Sequence, residues 1–220
     1  MERDTRKRQS TNTLQELPMT TVVIASYKYG HLSAHCIESV LSQTKQPEAI
    51  LFVDDGVGDC THLPKIYPEI EYTFRDKNLG TVNNFQDMLM KVETERVLFI
   101  GADNWLRSDA LEILEAVDAD IVTYDIVVTG ELKDEIDARH GFETKEYEGD
   151  LYWDRAIGHH GSMLYRTKLG QEVGYSSPPG RTIEDLVLYN EMRVRGATRK
   201  HVAEPLLYYR RHRENFNLCI

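Results

Sequence analysis

Thr20-Thr21-Val22-Val23-Ile24-Ala25-Ser26-Tyr27 and, further on, Ala49-Ile50-Leu51-Phe52-Val53-Asp54-Asp55-Gly56 are two short runs, apolar at consecutive positions and stopped by turn residues. Continuous apolarity over so few residues marks strands buried on both faces, as in a parallel sheet. Between them Leu32, Cys36, Ile37, Val40 and Leu41 recur at helical spacing over 32–43, and Pro47 closes the unit. Strand, amphipathic helix and strand in this order build an α/β sheet with helices on both faces.

The pattern continues outward. A short helix near His62–Tyr67, a strand at Glu71–Phe74 and a helix over Thr81–Val92 lead to the apolar strand Arg96–Ile100, which runs into Gly101-Ala102-Asp103-Asn104. Ser108 is placed to cap a helix through Val117, and a strand at Ile121–Val128 follows. The acidic segment Gly130–Asp150 lacks periodicity and reads as a hairpin-like excursion or a lid. Beyond it come a strand at Ser162–Tyr165, helices at Thr167–Val173 and Ile183–Arg195, and a strand at Pro205–Tyr209. Trp105, Trp153, Tyr208 and Tyr209 read as packing residues.

Composition narrows the classes. The chain has 220 residues, 41% apolar and 28% charged, enough for one domain with its own core. A net charge of -10 repels phosphate backbones and disfavours nucleic-acid partners. Cys36, Cys60 and Cys219 are odd in number and form no C-x-x-C pair, which fits a reducing, cytoplasmic setting better than a disulfide framework. No apolar run approaches the ~18 residues of a membrane helix.

Acidic residues stand at three element boundaries: Asp54/Asp55 after the second strand, Asp103 after the strand ending at Ile100, and Glu184/Asp185 at a helix start. Carboxylates at the carboxyl rim of an α/β sheet can meet a metal, a base edge or a hydroxyl without being buried unpaired. Each also has a structural reading. Asp-Gly after a strand is turn chemistry, Asp103-Asn104 suits an Asx turn, and Thr182-Ile183-Glu184-Asp185 matches a capping box.

The joint order resolves this in favour of a site, because it resembles family 2 glycosyltransferases with the GT-A fold. The resemblance is carried by Val22–Tyr27, Ile37–Thr44, Val53-Asp54-Asp55-Gly56, Asn78-Leu79-Gly80, Gly101-Ala102-Asp103, Gly161–Arg166, Glu184-Asp185 and Tyr208-Tyr209-Arg210-Arg211-His212. It implies a single GT-A domain over 20–215, divided into a nucleotide-binding half (20–104) and an acceptor half (105–215), with tails at 1–19 and 216–220.

It also implies roles. Asp55 and Tyr27, with backbone groups of Ala25, would hold the donor's base. Asp103 and His212 would hold Mn²⁺ or Mg²⁺ on the diphosphate of a nucleotide-sugar, with UDP-sugar the first choice. Asp185 would act as base on an acceptor hydroxyl in an inverting transfer, and His160 and Glu184 would contact the acceptor. The sequence departs from the family at Gly101, where the first acid of the usual D-x-D is expected. That departure motivates an alternative, a nucleotide-sugar-binding protein without transferase activity. A dinucleotide-binding domain is excluded, since 25–30 carry no G-x-G-x-x-G.

Overall fold

The two opening runs form β1 (Thr20–Ser26) and β2 (Ala49–Asp54), and Glu71–Phe74 and Arg96–Gly101 form β3 and β4. All four are parallel, in the order β3-β2-β1-β4. The computed structural model containing them describes residues 19–134, 144–154, 159 and 162–215. Except for Met19, the tails expected at 1–19 and 216–220 lie outside these residues, as do Cys219 and His160.

The second half extends the same sheet through β5 (Trp105–Leu106), β6 (Ile121–Thr129), β9 (Met163–Arg166) and β10 (Arg199–Arg210). β9 lies antiparallel between β4 and β6, and β10 is parallel to β6. The carboxyl ends of β1, β2, β4, β6 and β10 therefore meet at one rim. β7 (Thr144–Tyr147) and β8 (Asp150–Trp153) form a hairpin that pairs with β6 through β8, so residues 144–150 of the 130–150 segment belong to a hairpin, while 131–134 form a turn.

Six helices among the described residues cover the sheet: α1 (Ser33–Leu41), α2 (Leu63–Ile66), α3 (Gly80–Lys91), α4 (Ala110–Glu115), α5 (Thr167–Val173) and α6 (Glu184–Val194). Strand alternation divides the core in two. Val22, Ile24, Phe52, Leu98 and Ile100 pack with Cys36, Ile37, Val40 and Leu111 on one face. Val23, Val53, Val97 and Phe99 pack with Phe85, Met88, Leu188 and Met192 on the other. Burial on both faces is why these strands lack a polar register.

Three local expectations change. Ser108 does not cap: α4 begins at Ala110 with no side-chain capping bond, and the Ser108 carbonyl instead accepts from Thr44 N at 2.8 Å. At α6 the N-cap residue is Ile183, which makes no side-chain capping bond, and its amide donates to the Ser177 hydroxyl at 3.4 Å. The last strand starts at Arg199 rather than Pro205, with register shifts between Val202 and Leu207. Pro205, which has no N–H to give the ladder, sits at that irregularity.

Candidate active site

The adjacent acids after β2 go separate ways. Asp54 is fully buried, and its carboxylate accepts from Val57 N (3.0 Å), Gly58 N (3.0 Å), Cys60 N (3.3 Å) and the Tyr72 hydroxyl (3.4 Å). It is the anchor of the loop that follows. Asp55 turns to the rim, where Oδ1 accepts from Leu79 N at 3.0 Å and lies 3.6 Å from Arg75 Nε. Arg75 is itself fixed by Asn84 Oδ1 (2.8 Å) and Asp87 Oδ2 (2.7 Å). Burial pushes the Asp55 carboxyl above the ordinary carboxylate range, against the opposing pull of the Leu79 amide and Arg75.

Gly56 makes this arrangement possible. Its φ is +85°, and a Cβ there would stand 2.3 Å from Asn78 N and Lys77 C. The 77–79 backbone thus crosses directly over a residue without a side chain, which delivers the Leu79 amide to Asp55.

At the end of β1, the Ala25 carbonyl accepts from Ala102 N (2.9 Å) and the Ser26 carbonyl from Asp55 N (2.9 Å), locking three strand ends together. The Lys28 ammonium lies 5.1 Å from the Tyr27 ring centroid, and Lys28 has a φ of 68°. Asp103, next to the end of β4, is 5% exposed. Its Oδ2 accepts from Asn215 Nδ2 at 2.9 Å and stands 3.2 Å from His212 Nε2. His212 meets the Tyr29 ring edge-on, with centroids 5.5 Å apart. Asn104 Oδ1 accepts from Arg210 N at the end of β10 (3.0 Å), and the chain beyond folds back onto the rim through Asn215, whose Oδ1 accepts from His212 N (2.7 Å) and whose Nδ2 donates to Asp103.

Glu184 and Asp185 occupy the first turn of α6, where the helix dipole favours carboxylates. Ala25, Tyr27, Asp55, Asp103, Glu184 and Asp185 all line one cleft at the carboxyl rim, about 940 Å³ including its open mouth. His212 reaches the site through Asp103 and lines an adjoining hollow with His31 and Arg213. His160 lies outside the described residues, while its neighbour His159 lines the cleft.

Among the other lining residues are Tyr29, Asn84, Tyr209 and Asn215, none of which the sequence reading assigned a role in the site. Tyr209, read as a packing residue, is mostly buried but also walls the cleft, with the His159 ring edge-on at 4.7 Å. Tyr209 was signalled by its end-of-strand position and by its place in the 208–212 segment that carries the resemblance, whereas Asn215 carries no pattern at all.

A second group, Asp54, Asp59 and Cys60, brings ligand-type atoms within 4.8 Å of one another. These atoms serve the fold. Asp54 holds loop amides, Asp59 Oδ2 accepts from Gly30 N at 2.9 Å, and burial pushes the Cys60 thiol up to about 12 beside Ser26 Oγ at 3.3 Å. No helix among the described residues is long and apolar enough to cross a membrane.

Known proteins share this architecture. The chain is similar to EpsH of Bacillus subtilis (strain 168), whose name places it among candidate glycosyltransferases, at 24% identity over 215 residues, 90% of this chain and 62% of EpsH. TarS of S. aureus (1–349) superposes with a TM-score of 0.66 in complex with UDP-GlcNAc (16% identity, 88% of this chain, 59% of that one). Its complex with UDP gives the same TM-score and identity over 90% of this chain and 62% of that one. The chain thus spans about three fifths of the length of these relatives, and the TarS likeness establishes the GT-A fold. The model of the family "Glycosyl transferase family 2" matches residues 21–174, most of the folded sheet and two of the three acidic boundaries, and the chain belongs to that family.

Proposed function

We propose that the chain transfers a sugar from a nucleotide-diphosphate donor, a UDP-sugar first, to an acceptor hydroxyl with inversion at the anomeric carbon. The observation that carries this reading is the convergence of Asp55, Asp103 and Asp185, far apart in sequence, on one cleft. In it Asp55 accepts from a pyrimidine N–H while Tyr27 offers a ring to the base. Asp103 and His212 present a carboxylate oxygen and an imidazole nitrogen side by side, a donor pair that suits Mn²⁺ and, through the carboxylate, Mg²⁺. When bound, such a cation offsets charge on the departing diphosphate.

Asp185 takes the acceptor hydroxyl's proton as its oxygen bonds to the anomeric carbon and the diphosphate leaves from the opposite face. Glu184 and His159, which line the same cleft, border the acceptor. The uridine preference draws support from the TarS complexes with UDP-GlcNAc and UDP. The competing reading, nucleotide-sugar binding without transfer, draws support from Gly101 in place of an acid.

A thermal-shift screen of UDP-, GDP- and CMP-sugars with Mn²⁺ identifies the donor, since ligand at a hundredfold excess over Kd stabilises by about 2.7 kcal/mol. Sugar release from that donor, to water or to an added acceptor, then separates the two readings. Asp185→Asn is expected to bind the donor normally and lose transfer by at least ~100-fold. Unchanged turnover in this variant rejects Asp185 as base, and binding without any turnover in the unaltered chain favours the competing reading.

A further inference from the structure

Gly101 occupies the place of the missing first acid, and the room a side chain would need there is already filled. A Cβ on Gly101 would meet Asp103 Oδ1 at 2.6 Å and Asn104 Nδ2 at 2.9 Å, and its next neighbour is Asp103 Cγ at 3.8 Å. All three atoms belong to rim side chains rather than to the core. The Gly101 φ is not in the left-handed region, so the backbone alone does not demand glycine. The other carboxylate oxygen of Asp103, Oδ2, is gripped by Asn215 Nδ2 at 2.9 Å. Asn215 is 3% exposed and is anchored in turn, donating to Arg210 O (3.1 Å) and accepting from His212 N (2.7 Å).

The geometry points to Gly101 and Asn215 as positioning residues for Asp103: the glycine leaves the space into which Oδ1 leans, and the amide holds Oδ2 beside His212. This rests on the proposed role of Asp103 as the carboxylate that holds the cation. The glycine is then no lost ligand. It is what lets one carboxylate occupy ground that two acids share in the usual motif, and the clamp comes from more than a hundred residues downstream (|i−j| of 112). Restoring an acid by Gly101→Asp displaces Asp103 instead of adding a second ligand.

The test is calorimetric UDP binding to the full chain with and without Mn²⁺, the ratio of the two affinities being the readout. Gly101→Ala and Asn215→Ala are each expected to cut the Mn²⁺ enhancement by at least ~10-fold, whatever their metal-free UDP affinity, as is usual when a ligand's supporting contact is lost. Gly101→Asp should do no better than Gly101→Ala, and neither should add to the loss in Asp103→Ala. Circular dichroism checks folding, and Asn215→Ala, outside the sheet and both cores, keeps the test alive if the glycine variants misfold. An undiminished Mn²⁺ enhancement in Asn215→Ala and in folded Gly101→Ala overturns the inference while leaving the donor site standing. UDP binding by the unaltered chain that ignores Mn²⁺ overturns the cation role of Asp103 and this inference with it.

Discussion

Replacing Asp54 with alanine tests whether two neighbouring carboxylates, one peptide bond apart, have separate duties. The substitution strips the acceptor from three backbone amides, Val57, Gly58 and Cys60, and from the Tyr72 hydroxyl. A buried donor left without a partner costs about 1–3 kcal/mol, and water can reach part of this loop, so the loss should come to about 4 kcal/mol. That is a large share of the ~5–15 kcal/mol that holds a domain folded. For a chain of this size it lowers the melting temperature by about 10 °C. Asp55→Ala removes only the contacts to Leu79 N and Arg75 and relieves the burial of a carboxylate, for a net loss of about 1 kcal/mol or less. Urea unfolding of both variants beside UDP titration reads the two effects. Asp54→Ala should be the unstable one and Asp55→Ala the one that fails to bind. A loss under ~1 kcal/mol in Asp54→Ala, or equal losses in both, refutes the division of labour.

Because burial raises the Asp55 carboxyl, the proposed contact with the base predicts that UDP affinity declines on acidification at a pH above that where an ordinary carboxylate titrates, for the ionised group is the stronger acceptor. The stability sign runs the other way. A raised folded-state pKa gives a contribution that is present below the unfolded value and lost as pH rises through the folded one. Asp55→Asn should therefore gain on the parent in melting temperature as pH rises from about 4, the unfolded value, through the raised folded one, and a gain that shrinks on that rise contradicts the burial argument. Gly56→Ala combines a φ of +85° with a Cβ 2.3 Å from Asn78 N, and should cost about 2–3 kcal/mol. It should also weaken UDP binding, because the Leu79 amide is driven off Asp55; wild-type affinity and melting would show that the 77–79 crossing yields freely.

The sheet was legible because β1, β2 and β4 are buried on both faces, and double burial writes itself as consecutive apolar residues. The start of β10 was not. Arg199, Lys200 and His201 are exposed near the sheet edge, where strand residues need not be apolar, and the irregularity at Pro205 breaks what pattern remains. Caps failed for a related reason: Ser108 has the right hydroxyl, but tertiary contact with Thr44 sets the chain path there. The acids at the strand ends could be found by position, yet nothing in Asp54-Asp55 tells which one turns inward. That is decided by the loop at 57–60 folding back over Asp54 and by the segment at 77–79 crossing Gly56. Asn215 was invisible because its role depends on meeting Asp103 across the whole second half of the domain.

That distance sets a schedule for biosynthesis. At ~5–20 residues per second, the ribosome takes roughly ten seconds to travel from Asp103 to Asn215 (|i−j| of 112). During that interval the first strands and their helices can already stack, with the acid at the end of β4 unclasped and its neighbourhood incomplete. The four parallel strands are thus made early, and the rim closes only when the segment beyond β10 emerges and latches across it. A nascent chain stalled before residue 215 would resemble a hand without its thumb, well shaped over most of its surface and with Asp103 still unheld.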